Sequence, residues 1–128
     1  MDKDMKILTP VSLGELYDKI SILEIKIANM TDPEKIANVI HEYKELRLVA
    51  EKYPIDIDLY QKLLDINNKL WDIEDGIREE ERNKDFGEDF IKYARSVYIT
   101  NDERSEIKKE INLKYGSELV EEKSYKKY

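Results

Sequence analysis

Cysteine is absent from the 128 residues, and histidine occurs once, as His41. The first absence excludes disulfides, thiolate metal sites and cysteine nucleophiles, and makes a reducing compartment the natural setting. The second excludes histidine-rich zinc sites and any catalytic device built on two imidazoles, while leaving an all-carboxylate magnesium site open. Long apolar runs are missing too. The opening MDKDMKILTP has none, and no later segment approaches the roughly 18 apolar residues that span a bilayer, so a soluble, cytoplasmic protein without a membrane partner is expected. Basic charge is in deficit: 29 acids against 22 bases give a net charge of −7. That balance repels phosphate backbones and argues against a nucleic-acid partner.

What is present reads as helix. The length suits one domain, residues 1–128, able to bury roughly two-thirds of its unfolded surface without a metal or other cofactor. Residues 1–11 read as an N-terminal arm. Ser12-Leu13-Gly14-Glu15 is a capping box, followed by a periodic run from Leu13 to Met30 whose stripe is Leu13, Leu16, Tyr17, Ile20, Leu23, Ile27 and Met30. Thr31-Asp32-Pro33-Glu34 starts a second helix, and so short a connection predicts an antiparallel hairpin. This second helix buries Ile36, Val39, Ile40, Tyr43, Leu46 and Ala50, and Pro54 ends it near Tyr53.

Asp56 or Asp58 caps a long third helix, from about Leu59 to Arg82. It carries two neighbouring stripes, Leu59-Leu63-Ile66-Leu70-Ile73-Ile77 and Tyr60-Leu64-Trp71, so it is expected to be the central, two-sided element. Gly76 within it points to a close approach of another backbone or to a bend. Asp85-Phe86-Gly87-Glu88 opens a fourth helix with Phe86, Phe90, Tyr93, Ala94, Val97 and Tyr98 buried. Thr100-Asn101-Asp102-Glu103 opens a fifth, from about Asp102 to Tyr115, with the thin face Ile107, Ile111 and Tyr115 and Gly116 as its C-terminal cap. Residues 117–128 form a tail. The fold class is thus an all-α bundle of about five helices.

Polar residues inside apolar stripes mark where chemistry would lie, because a buried charge is costly unless paired or used. At ~100° per residue, Glu24 falls between Ile20 and Ile27, and Arg47 follows Ile40 and Tyr43 on the buried side. Asn67, Glu74 and Arg78 occupy the strip between the two apolar faces of the third helix, beside Trp71. Heights taken at ~1.5 Å per residue, with the third helix running alongside the first, bring Glu24 level with Leu70 and Arg47 one turn lower. Glu24, Arg47, Asn67, Trp71, Glu74 and Arg78 then make one candidate ligand-binding cluster. It is either a self-satisfied network that sets helix register or a site for a small anionic metabolite held by bidentate arginine contacts.

Two further patterns carry less. Glu42 with Glu45 and Asp72 with Asp75 resemble the paired acids of all-helical, magnesium-dependent nucleoside triphosphate pyrophosphohydrolases, but their helical angles put both pairs on solvated faces. A chorismate-mutase-like bundle would need regularly spaced inward cations on the first helix, which offers only Lys19 and Lys26, both off the stripe.

Asn67-x-x-Leu70-Trp71-x-Ile73-Glu74-Asp75-x-Ile77-Arg78 and the opening Gly14-Glu15-Leu16-x-Asp18-Lys19-Ile20-x-Ile22-Leu23-Glu24 together resemble a bacterial helical domain family of unknown function. So does the ending Ile111-Asn112 with Gly116-Ser117-x-Leu119-Val120-Glu121-Glu122-Lys123-Ser124-Tyr125. The resemblance implies no assigned chemistry, and it includes the tail among the family's motifs. The expected function is a non-enzymatic binding or interaction module that self-associates through the thin fifth helix and the tail, or meets another protein. The alternative is a small enzyme or anion-binding protein using the polar cluster. No catalytic residue, metal or cofactor is assigned.

Overall fold

A computed structural model describes residues 5–128. Among these the chain forms four helices and no strand: α1 (Leu13–Asn29), α2 (Pro33–Ala50), α3 (Ile57–Arg82) and α4 (Glu88–Lys114). The first four positions of the expected arm lie outside the described residues, and from Met5 to Ser12 the chain is non-helical.

The all-α class holds, with one helix fewer than expected. The boundary that fails is Thr100-Asn101-Asp102-Glu103, through which α4 runs without a break. No glycine or proline lies between Glu88 and Tyr115. A cap signature ends a helix only with a breaker beside it. Threonine, asparagine and aspartate each cost only about 0.7 kcal/mol or less inside a helix, and here Thr100 is fully buried in the packing that retains the segment.

The other ends follow their local chemistry. Ser12 accepts the Glu15 amide at 3.1 Å, and Asp32 accepts the amides of Glu34 and Lys35 with Pro33 in the first turn. Gly116 sits at φ +66°, and the Ser117 amide reaches back to the Asn112 carbonyl at 2.8 Å, a Schellman-type end whose left-handed backbone favours glycine. At the start of α3 the Asp56 side chain makes no cap; it pairs with Lys114, and its amide donates to the Tyr115 hydroxyl at 2.6 Å.

Helix α1, rather than α3, is the central element. It packs against α2, α3 and α4, whereas the backbone of α2 comes close to that of α1 alone. The core joins Leu16, Tyr17 and Ile20 of α1 with Ala50, Leu59, Leu63 and Ile111, one contribution or more from every helix. α3 is two-sided as its stripes predict, lying between α1 and α4. It runs antiparallel to α4, through Lys62–Glu110, Asn67–Arg104 and Gly76–Tyr93 in step.

Two glycines mark the close approaches. A Cβ on Gly14 would stand 2.5 Å from the Lys108 carbonyl oxygen and 3.0 Å from its Cα, so α1 and α4 meet backbone to backbone there. A Cβ on Gly76 would meet the Tyr93 ring at 2.5–2.9 Å, a side chain seated on the helix rather than a backbone. Gly14→Ala is therefore expected to destabilise by about 1–3 kcal/mol, since backbone must move. Gly76→Ala should cost less, because a ring can turn and alanine favours helix. Urea unfolding of both variants checks the order.

Candidate functional site

The polar groups gather in two places on opposite flanks of α1. On the flank facing α4, Asp18 and Ser21 are buried together with Asn67 and Lys108. The Asn67 amide donates to Asp18 Oδ1 and to Ser21 Oγ, each at 2.8 Å, and its oxygen accepts from Arg104 at 3.3 Å. Lys108 Nζ donates to Glu15 and to Glu121, each at 2.7 Å, with Asp18 at 4.0 Å. Burial by itself pushes the Lys108 ammonium down, but the bonds to Glu121 and Glu15 outweigh it and its pKa ends above the ordinary lysine value. The bond from Lys108 holds the Glu121 carboxyl below its usual range. Lys19, Lys26 and Glu42 complete a cleft of about 430 Å³ over this network, whose buried acids and bases are already bonded to one another.

The other flank faces α2 and the start of α3. A cleft of about 390 Å³ is lined by Tyr17, Glu24, Tyr43, Arg47 and Tyr60. The Tyr60 hydroxyl donates to Glu24 at 2.5 Å. Burial first, and then this carboxylate, hold the phenol protonated far above its ordinary range. Tyr17 donates to the carbonyls of Ala50 and Tyr53 at 3.2 and 2.8 Å, tying the end of α2 to α1.

The six residues expected in one cluster are thus dispersed. Glu24 and Arg47 share the second cleft, and Asn67 belongs to the network on the far side of α1. Trp71 is half-buried. Glu74 and Arg78 are an exposed pair one turn apart, 3.4 Å between charges. The reason is the crossing of the helices. Tyr60 and Asn67 lie nearly two turns apart on α3, yet the first reaches Glu24 and the second reaches back to Asp18 and Ser21. Contacts on α1 do not advance with α3, so α3 crosses α1 obliquely, and a height ladder built on side-by-side helices fails beyond the crossing.

The acid pairs do not converge either. The backbones of α2 and α3 do not come close, Glu42 and Glu45 face Lys19 and Lys6, and Asp72 and Asp75 are exposed. Among the described residues no three metal-ligating side chains group together.

Sequence reasoning missed Asp18, Ser21, Arg104 and Lys108. Their signal was present as a second stripe: Gly14, Asp18, Ser21 and Ile25 step by four, three and four along α1, and Thr100, Arg104, Lys108 and Asn112 step by four along α4. A search for apolar stripes passes over a buried face made of small and polar residues.

Replacing Lys108 by alanine strips Glu15, Asp18 and Glu121 of their shared cation, with Asp18 left in the interior. A loss of about 3 kcal/mol or more is expected, read by chemical denaturation. The network also gives a pH dependence. The lowered Glu121 carboxyl contributes stability above its unfolded value, about pH 4.3, and that contribution fades as pH falls through the folded value. Glu121→Gln should narrow the stability difference between neutral pH and about pH 3.5 relative to the wild type; unfolding at the two pH values measures it.

No curated protein and no solved structure matches the chain. A family model does, over residues 5–128, and its description agrees with the resemblance carried by the three motifs in assigning no chemistry. The chain belongs to the family of unknown function DUF6165.

Proposed function

We propose that this chain is a non-enzymatic helical interaction module of a single domain, with α2 as the surface it offers and a second copy of the chain as the partner. One observation carries the reading: the backbone of α2 comes close to that of α1 alone, and of its apolar residues only Ala50 is fully buried. Ile36, Val39, Ile40, Tyr43 and Leu46 stay half-buried, while Leu48 and Val49 are 60 % and 46 % exposed. A helix with that many apolar side chains gains most of its stability from packing, and part of this apolar surface, Leu48 and Val49 above all, is left open.

Three features support it. The exposed apolar residues Met5, Ile7 and Leu8 belong to the arm, which is tied to α2 by the 3.1 Å ion pair Lys6–Glu45 and widens the apolar surface. α2 holds three acids (Glu34, Glu42, Glu45) and three bases (Lys35, Lys44, Arg47), so it is neutral within a chain of net charge −7. Two copies therefore meet there without the repulsion that acts over the rest of the surface. The buried acids and bases are committed to each other, which favours a structural role for them over a catalytic one.

The segments first expected to self-associate are partly engaged within the chain, although Leu113, Leu119, Tyr125 and Tyr128 stay exposed. Lys108, Ile111 and Asn112 are buried against α1, and Glu121 and Glu122 pair with Lys108 and Lys109. The cysteine-free composition suits a reducing compartment, and we assign the protein to the cytoplasm on that ground.

Light scattering on the full chain at high micromolar concentration is expected to give twice the chain's mass. The double variant Leu48→Glu, Val49→Glu, both sites being exposed, should give a monomer with unchanged helical circular dichroism. A monomeric wild type, or a dimer that survives the double substitution, overturns the reading.

A further inference from the structure

The cleft between α1, α2 and the start of α3 excludes Leu48 and Val49, the exposed large apolar residues of the α2 surface proposed above. It is walled by three tyrosine rings. Tyr17 and Tyr60 stand edge to face at 6.1 Å, with Tyr43 across from them on α2. The Tyr17 hydroxyl is committed to two carbonyls, so that residue offers the cleft only its ring.

Two charged groups in the cleft are left with bonding capacity. Glu24 receives one hydrogen bond, from Tyr60 to Oε2, and its other oxygen has no donor among the described residues. Arg47 makes no ion pair and no side-chain hydrogen bond among the described residues, although its charge reaches the hydroxyls of both Tyr17 and Tyr60. That is notable in a chain with 29 acids. Glu51, one turn further along α2, lines the same cleft and still does not pair with it. A guanidinium with its planar fork free is suited to a carboxylate, which it can hold by two parallel bonds.

Charge balance narrows the ligand class. Glu24 and Glu51 outnumber Arg47, so a simple anion would face two carboxylates and a simple cation would leave the guanidinium unused. A molecule carrying both signs engages the guanidinium and a carboxylate together. At about 390 Å³ the space lies near the small end of ligand pockets and takes a single-ring or branched apolar body against the tyrosines.

We infer that this cleft binds a small zwitterion of the free amino acid class. Arg47 takes the carboxylate, Glu24 the ammonium, and the rings of Tyr17, Tyr43 and Tyr60 the side chain. The ammonium also gains from the faces of the surrounding rings. The inference stands apart from the association reading, because neither Leu48 nor Val49 lines the cleft and binding is read on monomer and dimer alike.

The test is calorimetric titration of the full chain with phenylalanine, tyrosine and leucine, followed by two analogues of phenylalanine. N-acetyl-phenylalanine lacks the ammonium, and phenylalanine amide lacks the carboxylate. Saturable binding is expected for at least one of the three amino acids. With phenylalanine as probe, both analogues should bind about tenfold or more weakly, a difference of about 1.4 kcal/mol. Arg47→Ala should weaken the amino acid by a similar factor and leave the amide unchanged. Arg47 is exposed and unpaired, so the variant is expected to fold, and circular dichroism verifies it. Absence of saturable binding by all three amino acids overturns the inference. So does N-acetyl-phenylalanine binding as tightly as its parent, or Arg47→Ala leaving amino acid affinity unaltered.

Discussion

Helix α1 begins with backbone amides that its own helix has no carbonyls to satisfy, and the groups that take them come largely from the far end of the chain. Ser12 serves Glu15 locally. Leu13 donates to Ser117 Oγ at 3.1 Å and Gly14 to Asn112 Oδ1 at 2.7 Å, partners 104 and 98 positions away. This capping depends on Gly14, whose missing Cβ lets the α4 backbone close in, and on the Schellman-type turn at Gly116 that aims Ser117 back at α1. One level further along, Lys108 gathers Glu15, Asp18 and Glu121. With α1 held in this way it serves as the hub on which α2 and α3 are laid.

The same constraint gives a physical reading to the three segments that carry the resemblance. Gly14 and Glu15 at the start, Ile111 and Asn112 near the end, and Gly116, Ser117 and Glu121 after it sit far apart in sequence and form one junction in space. Asn67, in the middle motif, joins it through Asp18 and Ser21. These positions are therefore accounted for by assembly of the bundle. Glu24 stands outside the junction, on the opposite flank of α1, where Tyr60 and not α4 is its partner.

Much of the fold was legible in the sequence because it is written locally. The Ser12, Asp32 and Gly116 ends, the α1–α2 hairpin and the apolar stripes of α1 and α3 all depend on residues within a few positions of one another. Three things were not. The Thr100–Glu103 cap signature misled because only a breaker turns such a signature into a boundary, and α4 has none. The hub position of α1 was hidden because its second face, Gly14-Asp18-Ser21-Ile25, is small and polar and does not register as a buried stripe. The polar cluster was drawn as one because heights along helices predict neighbours only while axes stay aligned, and α3 crosses α1 obliquely. Of the site, the membership of Glu24 and Arg47 in a common cleft was readable, and the tyrosine walls around them were not.

The junction at Gly14 also sets an order of events. Bonds that join residues 93 to 104 positions apart cannot form until Lys108, Asn112 and Ser117 have all been synthesised, so during translation the first helix emerges with only its local Ser12 cap and with its Glu15–Asp18 flank bare. Closing so long a loop is entropically slow relative to the local α1–α2 hairpin. The nascent protein therefore passes through a stage in which a helical hairpin precedes its own keystone, and completion of the domain waits for the segment that carries Lys108, Asn112 and Ser117.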